Sequence, residues 1–90
     1  MDKRQQLEGI EKMIRELEDA KNSQTSLLKK IAQIEADNIN IGIDVLDKSL
    51  GDIHERTDGN LESLNQLTEK LEVYRDDFVK KHKLDVPEVV

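Results

Sequence analysis

Apolar residues recur along this chain at spacings of three and four, the signature of a helix with one buried stripe. Leu7, Ile10, Ile14 and Leu17 set the first such stripe, and Met13 widens it. Polar residues fill the other faces, with Glu8–Lys12 and Glu11–Arg15 at i,i+4 in the favourable order. The pattern predicts a first helix near residues 3–21. Carried forward from Leu17, the stripe falls on Lys21 and Gln24, both polar. It does so inside Asn22-Ser23-Gln24-Thr25-Ser26, where Asn, Ser and Thr compete for backbone hydrogen bonds. Polar composition and stripe failure coincide, so a turn is expected at 22–25, with a weak-seamed continuous helix as the alternative.

A second helix is expected near 26–56. Leu28 and Ile31 resume the stripe, and Ile39, Ile43, Leu46, Leu50 and Ile53 follow a 4-3-4-3 spacing. Ile39, Ile41 and Ile43 also alternate as a strand would, but one short strand with no partner is not stable. Gly42 is then a soft spot within that helix. Thr57-Asp58-Gly59-Asn60 offers a turn, with Gly59 for a left-handed cap and Asn60 as the next N-cap. Read through without a break, the same stretch is a four-residue stutter in the seam. A third helix is expected near 60–83. Its stripe is Leu61, Leu64, Leu71 and Phe78, with Leu67 and Tyr74 beside it and Thr68 and Arg75 in strict heptad slots. Pro87 demands an extended residue before it, so the helix ends near Lys83 and residues 84–90 form a tail.

The expected fold is therefore all-α. It is a single helical domain over 1–83, built as a helical hairpin or three-helix bundle with coiled-coil-like packing, oligomeric or partner-bound. The alternative is one or two very long helices in an open coiled coil, where residues 27–83 alone would reach about 85 Å.

Composition narrows the function classes. One Tyr, one Phe and no Trp among 90 residues leave few large core anchors, and 38% of the chain is charged. So short and so charged a chain makes a thin core, which favours burial against another chain. A net charge of −6 argues against nucleic acid or an anionic membrane as the main ligand. No apolar run reaches the length of a membrane span, and residues 1–12 lack the apolar core of a secretory signal. With no cysteine, disulfides and thiolate metal sites are excluded, which together with the missing span and signal points to the cytoplasm.

Candidate chemistry is sparse. His54 and His82 are far apart, and no second His or Cys sits at i+4 of either. Asp44, Asp47, Asp52 and Asp58 lack the spacing of a calcium loop, and Asp58-Gly59-Asn60 with Glu62 is too compressed. Ser49 has no strand-turn context to make it a nucleophile, and the four glycines are isolated. No catalytic residue, metal, cofactor or small-molecule substrate is expected. Arg56, between Ile53 and Leu61, resembles the central ionic-layer arginine of membrane-fusion SNARE helices over some thirty residues. That resemblance implies a tethering helix, but Leu61 lies five positions on rather than four, so this reading ranks last. Val89 and Val90 would end a C-terminal peptide motif if the tail serves as a ligand.

What remains is the stripe itself, either the seam of the chain's own bundle or a face for a helical protein partner or a second copy. The function expected is a non-catalytic adaptor or subunit; an acidic inhibitor or secretion-type companion that masks a partner is the second choice.

Overall fold

The computed structural model describes residues 1–84 and contains two long helices, α1 (Lys3–Ile41) and α2 (Asp44–Lys81), that fold back on each other as a hairpin. The body measures 70 × 19 × 17 Å. Of the expected arrangements, the two-helix hairpin is the one formed within the chain. The tail motif at Val89 and Val90 lies outside the described residues.

Both expected interruptions are absent, and the turn falls where the sequence reading continued a helix. Through 22–26, α1 is unbroken because nothing there competes with it: the Thr25 hydroxyl donates back to the Lys21 carbonyl at 3.0 Å. Lys21 and Gln24 stand in seam slots, as the weak-seam alternative required. Thr57 is buried in the seam of α2. Gly59 sits on open surface, where a helix tolerates it.

The reversal is at Gly42 and Ile43. Gly42 closes α1 in the left-handed conformation, φ 74° and ψ 41°, and its N–H donates to the Asn38 carbonyl at 2.7 Å. The Asn38 side chain, only 2% exposed, ties the two helices across this turn. Its amide nitrogen donates to the Ile43 carbonyl at 3.0 Å and to Asp47 Oδ1 at 2.8 Å, while its oxygen accepts from the Ile43 N–H at 3.0 Å. Ile43, the N-cap of α2, has no side-chain cap of its own. Asn38 occupies one of the free backbone donors there instead, and Asp44 and Asp47 complement the positive end of the helix.

The open end is fixed differently. Asp2 begins α1 with a capping box, its carboxylate accepting from the Gln5 N–H at 2.8 Å while the Gln5 side chain accepts from the Asp2 N–H at 3.2 Å. Phe78 packs between Tyr74 and His82, with ring centroids 6.2 and 4.6 Å away, and Lys3 Nζ lies 5.9 Å from its centre. One ring residue thus links the start of α1 to the last turn of α2.

Three glycine and glutamine variants separate this fold from a three-helix one. Gly42→Ala should cost about 1–2 kcal/mol, because alanine must enter the left-handed region. Gly59→Ala should instead stabilise by up to about 1 kcal/mol, since its site is open helix surface. Gln24 Oε1 is buried with no hydrogen-bond partner among the described residues, so Gln24→Leu should stabilise by about 1–2 kcal/mol. Urea unfolding followed by circular dichroism measures all three; a gain at Gly42→Ala with a loss at Gly59→Ala would place the turn at 57–60.

Candidate interaction surface

Relative to the heptad, α1 presents one unbroken seam. Leu7, Ile10, Ile14, Leu17, Lys21, Gln24, Leu28, Ile31, Glu35 and Asn38 step by three and four without a phase change, and all are buried or half-buried. On α2 the matching seam is Leu50, His54, Thr57, Leu61, Leu64, Thr68, Leu71, Arg75, Phe78 and His82. The apolar core is thin, with only Ile10, Ile31, Leu50 and Phe78 buried among the apolar side chains of the described residues. Polar residues share that depth: Thr68 is 1% exposed, and its hydroxyl is satisfied by the Leu64 carbonyl at 2.7 Å.

The seam also carries one ionisable cross-link. His54 Nδ1 meets Glu35 Oε1 at 2.9 Å, joining the helices about two to three turns from the reversal. The Glu35 hydrogen bond raises the His54 pKa above its ordinary value of 6.5; partial desolvation works against it, and the charges of Glu35 and Asp58 add to it. At the other end, desolvation lowers the His82 pKa, with Lys3 and Lys81 adding to the effect.

Beside the seam lies a second apolar stripe on each helix. On α1 it repeats every seven residues as Met13, Ala20, Leu27, Ile34 and Ile41; on α2 as Leu46, Ile53, Leu67 and Tyr74, with Asn60 filling the gap. All these occupy the position just before the first seam residue of each heptad. Reversing the chain direction puts that position of one helix beside the same position of the other, so both stripes lie on one flank. A groove at the open end shows this directly, being lined by Ile10 and Met13 from α1 and Leu71, Tyr74 and Phe78 from α2. The stripe is in water: Met13, Leu27, Ile34 and Ile53 are exposed, Leu67 is 50% exposed and Tyr74 57%. The opposite flank carries Glu11, Glu18, Asp58 and Glu72 with Thr25, Ala32, Gly51 and Asn65, and Ile39 and Val79 are its large apolar members. The hairpin therefore has one apolar side and one acidic side.

The residues singled out by sequence divide accordingly. Leu7, Ile10, Ile14, Leu17, Leu28, Ile31, Leu50, Leu61, Leu64, Leu71 and Phe78 meet in the seam, whereas Leu46, Ile53, Leu67 and Tyr74 belong to the apolar flank. Ile43 is in the turn and Ile39 stands 78% exposed beside it. The sequence reading passed over the flank stripe of α1 as a unit, although its seven-residue repeat from Met13 was available. Arg56 is exposed and outside the seam, where His54 and Thr57 hold the slots, so it does not take the central-layer position of a SNARE arginine.

Among the described residues, no group of three His, Asp or Glu side chains is placed to hold a metal ion, and no helix is long and apolar enough to cross a membrane. No family model, curated protein or solved structure matches the chain.

The Glu35–His54 link has a pH signature. A raised folded-state pKa contributes stability that is fully present below 6.5 and fades as pH rises through the folded value. The wild type should therefore lose more melting temperature than Glu35→Gln as pH rises above 6.5. The difference between the two proteins removes the opposing contribution of His82. Parallel melting-temperature profiles would show that the link is not made in solution.

Proposed function

We propose that this chain is a non-catalytic interaction module, a small adaptor or assembly subunit, that docks helical protein partners along its apolar flank. The observation that supports the reading is the pairing of two exposed seven-residue repeats on one side of the hairpin. A two-helix hairpin needs only its narrow seam; helices apolar over the wider arc are those that face three or more helices. Exposed apolar stripes of this length on a water-facing surface mark a docking site. An amphipathic helix lying along the hairpin would meet Leu27 and Ile34 on one side and Ile53 and Leu67 on the other, in the manner of helix-in-groove recognition.

The flank, rather than the sequence-derived stripe as a whole, is the partner face in this reading. Leu64→Asp places a charge in the seam and should unfold the hairpin. Leu67→Asp, three residues on, should leave helicity nearly unchanged while abolishing partner capture from an extract of the native host. Binding that survives Leu67→Asp combined with Ile34→Asp would refute the assignment.

The acidic flank supports a second reading, a companion that masks a partner's basic surface through Glu11, Glu18, Asp58 and Glu72. Charge reversal at Glu18 and Glu72 separates the two. Loss of capture at higher salt and in these variants favours masking, and indifference to both favours the apolar flank.

A further inference from the structure

We infer that the first occupant of the apolar flank is a second copy of this chain, two hairpins closing face to face as a four-helix bundle. The inference rests on the reading of that flank as a helix-docking surface and names its partner. Three features of the flank point to self-association.

The first is shape. Both helices of the hairpin carry the stripe, and both carry it along most of a 70 Å body, so the surface has two matching rails over its length. Another hairpin of the same length covers both stripes at once. A two-fold axis makes the same patch serve on each side, the commonest arrangement of soluble oligomers.

Area is the second. The seven exposed large side chains of the flank average about half exposed. At roughly 150–200 Å² for each full side chain they offer on the order of 600 Å² per copy. The half-buried Leu46 and Ala20 and the stems of neighbouring polar residues add to this. Stable interfaces bury about 800 Å² per partner, so a face-to-face dimer comes within reach of that mark, whereas a crossing contact over one end would not.

Charge is the third. The chain is at −6, and two copies meeting through an acidic surface would repel. The outer rim of the apolar flank is instead balanced. Glu16, Asp37 and Asp77 are matched in number by Lys30, Arg56 and Lys70. Between them sit Gly9, Ser23, Ser49 and Ser63, small enough for another backbone to come close. A surface shaped for a strongly acidic or basic partner would carry one sign. The acidic excess lies on the far flank, away from the contact.

Sedimentation equilibrium of the purified full chain from low to high micromolar concentration tests this. The wild type should sediment as a dimer, and Leu27→Glu combined with Leu67→Glu should sediment as a monomer with its helical circular dichroism retained. Should the double variant lose its fold, Tyr74→Lys, at a more exposed site of the same flank, replaces it with the same expectation. Glu72→Lys, on the far flank, should remain dimeric. A wild type that stays monomeric throughout, or a dimer that survives the flank variants, overturns the inference. A monomeric wild type whose partner capture is still abolished by Leu67→Asp would leave the flank as a docking surface for other helices; capture indifferent to Leu67→Asp would remove that reading too.

Discussion

Everything about this hairpin follows from where the chain reverses, and one buried amide governs that point. Gly42 supplies the left-handed backbone that ends α1, but a glycine permits a turn without requiring one. Asn38 makes the turn specific. Its side chain bridges the last turn of α1, the cap of α2 and Asp47, and it uses both its oxygen and its nitrogen in doing so. A buried amide left half-satisfied would cost more than it contributes, so a different reversal point would expose a penalty at Asn38. With the turn centred on Gly42 and Ile43, equal rise along the two helices sets the register of the whole seam.

That register explains how so polar a seam remains closed. Counting outward from the turn, Lys21 comes level with Leu64, Gln24 with Leu61 and Leu17 with Thr68, so polar slots on one helix are faced by apolar ones on the other. Threonine suits this role, since its hydroxyl is satisfied within its own helix and its methyl group is left to pack, as Thr68 shows. The core that results is narrow. Ile10, Ile31, Leu50 and Phe78 are the only apolar side chains fully withdrawn from water among the described residues. Outside the seam, Met13, Leu27, Ile34, Ile53, Leu67 and Tyr74 share one flank because the hairpin is antiparallel, and Glu11, Glu18, Asp58 and Glu72 share the other for the same reason. The proposed module and the proposed dimer are two consequences of this division.

The reading of the chain as helical was legible in its periodicity, and so was the stripe from Leu61 through Phe78, including Thr68 and Arg75 in seam slots. The seam of α1 was legible as far as Leu17 and from Leu28 onward. Between them, Lys21 and Gln24 suggested a break because local polarity was given more weight than phase. Phase was the better guide: the seven-residue spacing resumes in register at Leu28, which a turn would have reset. At Gly42 the opposite happened. The 4-3-4-3 spacing of Ile39, Ile43, Leu46, Leu50 and Ile53 continues across the reversal and disguised it. Ile39 is solvent-exposed and Ile43 forms the cap, so that spacing reflects no common face.

By itself, then, the sequence determined helix formation, the seven-residue repeat and the sign and size of the charge, because these depend on neighbours within one or two helical turns. Tertiary structure decided which of several glycines turns the chain: Gly42 takes the left-handed backbone, while Gly51 and Gly59 stay inside α2. Only Gly42 has an Asn38 one helical turn earlier that reaches over to the next helix. Tertiary structure also decided that the apolar residues divide into a seam and a flank. That division depends on the two helices running in opposite directions, a relation between residues dozens of positions apart that no local spacing encodes.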